Sequence, residues 1–353
     1  MKFNYLFSLF FVFSLVSCNN YYSKEDFSSV KKIDAHFHIY SAESTSMEQA
    51  KMDNFKLLTI NTNSDNCERV VEAHQLLSAL KTNFPSDLEF TTTFCMDGWD
   101  EPGWEENTIS WIDQSLKDGA ISVKIWKNIG MEFRDKDSVL VMIDNPRFDA
   151  VFAHLAERNI PLVGHLGEPK ACWQPAEMMQ ANNNKNYFTN NPQYHMYLHP
   201  EFPTYKEQMD ARDRMLEKNP NLVFIGCHLA SLEWSVDVLA EWLDRFPNAS
   251  VDMAARMGDL FYQTRDDHKK VYDFFIKYQD RILYGTDITD NGGDKDAFHK
   301  RMHETWLRDW EYLATNNNMT SHLIDGEFQG LKLPKKVVNK IFSENTKKWY
   351  KSF

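Results

Sequence analysis

The stretch "DAHFHIY", residues 34 to 40, lies in an apolar run and carries two imidazoles, His36 and His38, two positions apart. On a strand, whose side chains alternate between faces, that spacing points both rings the same way. A single histidine on an apolar face is ordinarily a hydrogen-bonded core residue. The pair therefore takes its meaning from what the rest of the chain brings to it.

Working outward, seven further β-like runs follow: "FKLLTIN" from Phe55, "EFTTTFC" from Glu89, "AISVKIW" from Ala120, "IPLVGHL" from Ile160, "LVFIGCH" from Leu222, "SVDMAA" from Ser250 and "ILYGTDI" from Ile282. Between them apolar residues recur at helical steps, as in Val70, Ala73, Leu77, Leu80 and in Trp234, Val238, Trp242, Phe246. Asp65 with Glu68 reads as a helix N-terminus. Eight strands alternating with helices predict a closed (β/α)8 TIM-like barrel, with any site at the C-terminal mouth of the strands. A doubly wound open sheet is the alternative, but "HFHIYSAEST" after the first strand lacks the glycine-rich phosphate turn. Residues 167–204, rich in Asn, Pro and aromatics, are too long for an ordinary connection and predict a lid-like insertion. The closing "LPKKVVNKIFSENTKKWY" predicts an amphipathic helix packed through Val337, Val338, Ile341 and Phe342.

The chain has 353 residues, 42% of them hydrophobic, and a net charge of −12, enough apolar material for a large core. The acidic balance without a Lys/Arg cluster argues against nucleic acid as a partner. Residues 1–18 have a Lys2 start, a Phe/Leu-rich run and the ending Leu15-Val16-Ser17-Cys18, which resembles a bacterial lipobox. That resemblance implies a signal peptide, lipidation at Cys18 and a lipoprotein of the cell envelope, anchored to the outer membrane or facing the periplasm. Residues 19–32 are then a polar tether, and residues 33–353 the barrel. Cys67, Cys95, Cys172 and Cys227 form no CxxC pair and are expected as buried free thiols, although an oxidising compartment permits pairing.

On this map His165 ends the fifth strand, His228 the sixth and Asp287 the eighth, while Lys124 lies in the fourth. Strand ends of a barrel converge, so these residues meet His36 and His38. Imidazoles with one carboxylate suit a borderline divalent ion, zinc foremost and manganese as the alternative. Such an ion acidifies a water for attack on a carbonyl.

The order HxH, Lys, His, His, Asp, with "VGHLGEP", "LYGTDI" and "KIFSENTKKWY", resembles the amidohydrolase superfamily, in its amidohydrolase-related (amidohydrolase 2) branch of metal-dependent hydrolases. The resemblance implies an enzyme with metal ligands His36, His38, His165 and Asp287, and with His228 and Asp287 as catalytic groups, His228 polarising a carbonyl or shuttling a proton. It leaves Lys124 either as a carboxylated bridge between two ions or as a cation pairing with substrate or Asp287; one ion with the pairing role is preferred. The implied reaction is hydrolysis of a lactone, ester or amide by metal-activated water. A non-oxidative decarboxylase on the same scaffold is the alternative, and an inactive lipid-anchored binding protein a third reading. Trp126, Lys127, Glu168 and Arg256 are the substrate-binding candidates, and with Trp99, Trp104, Phe133, Arg134, Trp173 and His199 they suggest a small, anionic, ring-containing substrate. His74 and His154, on helical patterns, are expected to be non-catalytic.

Overall fold

The computed structural model describes residues 20–62, 66–351 and 353. Its parallel strands are β1 (Lys32–Ile39), β2 (Phe55–Ile60), β3 (Leu88–Thr93), β4 (Val123–Ile125), β5 (Leu162–Gly164), β6 (Phe224–Gly226), β7 (Ala249–Asp252), β8 (Ile282–Leu283) and β9 (Ile288–Asp290). They are ordered β8-β7-β6-β5-β4-β3-β2-β1-β9. The segment 282–290 supplies both edges: β8 pairs with β7, and β9 pairs with β1 through Phe37–Ile288, His38–Thr289 and Ile39–Asp290. β8 and β9 are thus one interrupted eighth stave, and the sheet closes into the expected (β/α)8 barrel. The interruption falls at Asp287, whose φ is +68° and whose N–H donates to the His36 carbonyl at 2.8 Å.

The strands are shorter than the apolar runs suggested, because several runs continue into loops at the mouth: His165, His228 and Asp287 all lie outside hydrogen-bonded strand. All of β1 is buried, since barrel strands have side chains covered on both faces. The fully buried Asp34 fastens the seam, accepting from the N–H and Oγ1–H of Thr286 at 3.1 and 2.6 Å and from Trp306 Nε1 at 2.9 Å. At the opposite end Val337, Val338, Ile341 and Phe342 are buried as expected, and Asn345 Nδ2 donates to the carbonyls of Gln279 and Ile282. A hairpin of β10 (Asn318–Thr320) and β11 (Glu327–Gln329) had no counterpart in the sequence reading.

Three expectations are corrected. Residues 20–31 are no free tether: Phe27 is buried, Tyr22 donates to Asn339 Oδ1 at 2.9 Å, and Lys24 pairs with Glu311 at 2.7 Å. Polar composition concealed these anchors. Cys67 and Cys95 are not free thiols but a disulfide joining the start of the helix Cys67–Asn83 to the loop after β3, whereas Cys172 and Cys227 are free and buried. Trp99 and Trp104 pack with Phe148 in the core and do not line the mouth. Asp65 and the signal region with Cys18 lie outside the described residues; Asn66 Oδ1 caps the helix Cys67–Asn83 by accepting from Arg69 N. Among the described residues no helix is long and apolar enough to cross a membrane.

Candidate metal centre

The alternation of β1 places Asp34, His36 and His38 in register, and the histidines reach the mouth together. His38 Nε2 lies 2.9 Å and His36 Nε2 3.4 Å from the same atom, Asp287 Oδ1. The left-handed turn at Asp287 brings that carboxylate back over β1, its side chain 31% exposed and so open to the mouth. His228 lies between the others, tilted against His36 at a ring-centroid distance of 4.8 Å and edge-on to His165 at 4.2 Å.

Three of the outer nitrogens are engaged. His36 Nδ1 faces Asp252 Oδ2 at 2.8 Å, His38 Nδ1 faces the Ile60 carbonyl at 2.9 Å, and His228 Nδ1 faces the Ala254 carbonyl at 2.8 Å. These acceptors assign the ring proton to Nδ1 and leave the lone pair on Nε2. Burial lowers the pKa of His36, and together with neighbouring positive groups it lowers His165 and His228 well below the usual range. His165 Nε2 is buried and makes no hydrogen bond. Electron-rich nitrogens turned toward a carboxylate, with no proton between them and one wholly unpartnered, fit a cation. The donor set of His36, His38 and Asp287 lies within 4.8 Å, and His165 adjoins it through His228. Imidazole and carboxylate ligands suit zinc or manganese.

Asp252, which the sequence reading did not single out, ties the cluster together. Beyond His36 it accepts from the backbone N–H of His228 at 2.8 Å and of Ala254 at 3.1 Å. Burial opposes its ionisation, but the two imidazoles and these donors prevail, and its pKa falls below the ordinary carboxylate value. Its position as the last residue of β7, at the converging strand ends, was the available signal. The residues it steadies are unusual: His228, Leu229, Ala230 and Ser231 all have φ between 55° and 58°. Such a run persists where the surroundings over-determine it.

Lys124 is fully buried, and its Nζ lies 2.7 Å from Cys227 Sγ. Lys127 is buried and ion-paired with Glu168; burial alone would lower its pKa, but the carboxylate outweighs that and raises it. Glu168 Oε2 is 3.9 Å from His165 Nε2, and Lys127 Nζ lies 5.7 and 5.5 Å from the rings of Trp126 and Tyr194. A cavity of about 250 Å³ opens here, lined by Lys127, Glu168, Tyr194, Phe202, Met131 and Met196 among others. Arg256 is buried one turn past β7. The segment 167–204 folds as short turns and one helix, Asn182–Asn190, around its own apolar cluster with Cys172, Phe188 and Met196. His199 is held by the Pro192 carbonyl away from the centre, and His74 and His154 pair with Asp118 and Asp113.

A family model described as Amidohydrolase matches residues 98–351. No curated protein matches the chain in sequence. Among solved structures, 2,6-dihydroxybenzoate decarboxylase from Rhizobium is 12% identical with a TM-score of 0.53, over 91% of this chain and 98% of that one. A 5-carboxyvanillate decarboxylase from Novosphingobium aromaticivorans, complexed with manganese, is 11% identical with a TM-score of 0.55, over 92% and 97%. At these identities the likeness is one of fold.

Proposed function

The chain belongs to the amidohydrolase family, and from that premise we propose that it is a metal-dependent hydrolase of a lactone, ester or amide on a small ring-containing substrate. The observation that carries this reading is the convergence of His36 Nε2 and His38 Nε2 on Asp287 Oδ1, beside the unpartnered His165 Nε2. In it His36, His38, His165 and Asp287 hold one divalent ion, zinc or manganese. When bound, the ion supplies Lewis acidity, polarising a carbonyl and making a water molecule easier to deprotonate. With Oδ1 turned to the imidazoles, Asp287 takes the proton of the attacking water on Oδ2 and returns it to the departing oxygen or nitrogen. His228, its ring proton committed to the Ala254 carbonyl, presents a lone pair. It therefore serves as a proton acceptor, and it polarises a carbonyl only once protonated. Lys124 is given the role of a partner to substrate or Asp287 rather than of a bridge between two ions, because its Nζ is turned to Cys227.

A second reading, non-oxidative decarboxylation, is favoured by the two fold relatives, which act on hydroxylated or methoxylated benzoates. It uses the same residues. Metal-loaded protein assayed with a panel of lactones, esters, amides and benzoates separates the two: acid release without carbon dioxide supports hydrolysis, and carbon dioxide release overturns it. We also propose that Cys18 is the acylated first residue of an envelope lipoprotein; intact Met1 in protein from the native host would refute that.

A further inference from the structure

The net charge of −12 hides a basic end. Residues 331–353 carry seven lysines against one acid, Glu344, so the expectation that the chain has no Lys/Arg cluster fails for this segment. Elsewhere exposed lysines are commonly matched, as Lys206 is by Asp210 and Lys277 by Asp244. In this segment Lys340 is matched by Asp280. Lys332, Lys335, Lys336, Lys347, Lys348 and Lys351 make no ion pair among the described residues, and all but Lys335 are exposed.

Packing turns them outward at the end of the barrel away from the mouth. The helix Asn345–Tyr350 packs Trp349 and Tyr350 against Ala35, Leu58, Val163 and Leu283 of the strands, and Trp349 Nε1 donates to the Asp280 carbonyl at 2.9 Å, just before β8 begins. Lys347 and Lys348 are thereby left to solvent. Leu331 and Leu333 are tied to the carbonyls of Tyr312 and Leu313 at the close of the helix Lys295–Ala314, which starts beyond β9 at the mouth and ends at the opposite side.

The start of the described chain is fastened to the same place. Lys335 N donates to the Asn20 carbonyl at 2.8 Å, Tyr21 and Pro334 form an antiparallel bridge, and the Nζ atoms of Lys332 and Lys335 lie 5.3 and 4.8 Å from the rings of Tyr21 and Tyr22. Residues 20–31 add two lysines, Lys24 matched by Glu311, and two acids, Glu25 and Asp26, so the joined segments stay basic. Cys18 precedes Asn20 by two residues, a span of at most about 7 Å. On the lipoprotein reading, on which this inference rests, a bilayer surface is thus held beside these lysines, within the ~8 Å over which its charge acts at physiological ionic strength.

We propose that the lysines of residues 332–351 form a membrane-apposed face for the anionic phospholipid headgroups of the bilayer that holds Cys18, and that this face sets the barrel with its metal centre opening away from that bilayer. Lipid and basic patch then act as two signals, the first tethering the chain and the second orienting it. The substrate is taken from the aqueous compartment and not from lipid.

The test uses the chain from residue 18 onward with Cys18→Ser, which keeps every described residue and removes any acyl contribution. Its partition into vesicles of phosphatidylcholine mixed with phosphatidylglycerol is expected to exceed that into phosphatidylcholine alone by at least ~10-fold, and to fall as salt is raised. Replacing Lys336, Lys347 and Lys351 together by Gln should remove most of that preference. The same change at Lys136, Lys185 and Lys206, exposed lysines of the connections at the mouth end, removes equal charge and should leave it. Amide hydrogen exchange on the anionic vesicles should slow in residues 331–351 and stay unchanged in 167–204. Equal partition into the two vesicles, equal losses in the two triple variants, or slowed exchange in 167–204 overturns the proposal, as does tighter binding of a DNA duplex than of the anionic vesicles. Intact Met1 in protein from the native host refutes acylation and leaves the vesicle result standing, so the anchor and the basic face fail separately.

Discussion

A single carboxylate oxygen, Asp287 Oδ1, faces two imidazole nitrogens at 2.9 and 3.4 Å, so small changes there separate binding from proton transfer. Asp287→Asn keeps an oxygen toward the imidazoles and removes the base; turnover should fall at least ~10²-fold with metal retained, as metal analysis beside initial rates would show. Asp252→Asn should act differently, through the orientation of His36 and of the His228 turn. Metal affinity is expected to fall ~10- to 100-fold in a competition titration with a chelator, with the barrel still folded. The HxH pair was legible because two imidazoles at a strand's period must share one face, where both can reach a single ion. Asp34 and Asp252 were not, although Asp34 stands in the same quoted stretch and Asp252 ends a strand: a lone acid in an apolar run carries no spacing to read. Lys124 was legible as a residue of the fourth strand, but its burial and its neighbour Cys227, which comes from another stave, depend on the closed barrel.

Between strands, Gly285 is the element on which the interruption of the eighth stave turns. A Cβ there would lie 2.7 Å from the Cβ of His36 and 3.2 Å from its backbone nitrogen. Gly285→Ala should therefore cost roughly 2 kcal/mol or more in chemical denaturation and weaken metal binding together, because one clash disturbs both. The alternation of strands and helices was readable from periodicity, and so was the buried face of the closing helix. Strand ends were not, since an apolar residue looks the same in a ladder and in the loop that continues it. The docking of residues 20–31 escaped for a related reason: its anchors, Tyr22 and Phe27, are isolated within a polar stretch.

Across the whole molecule the long-range connections carry the features least visible in a linear text. The Cys67–Cys95 bond joins positions 28 apart because their strands became neighbours. Its reduction should lower stability by about 3.6 kcal/mol on a chain-entropy view, measured as a shift in denaturation midpoint with and without reductant. Lys32, buried at the end of the barrel away from the mouth, offers a pH test. Burial pulls its ammonium down to about 7 from an unfolded value of ~10.4. Between those values the unfolded chain binds more protons, so stability rises with pH across that window. Its bonds to the Phe27 and Val30 carbonyls favour the charged form, so the rise should be about 1 to 3 kcal/mol, seen as the difference between the parent and Lys32→Met. The seam between β1 and β9 brings together Phe37 and Ile288, and with them the two ends of the donor set. A ribosome must have made nearly the entire chain before His36, His38 and Asp287 can share an ion. Assembly order is thereby dictated by topology: on the proposed ligand set, metal loading would wait for the last stave to be delivered, and a truncated or stalled chain would have no competent centre to load.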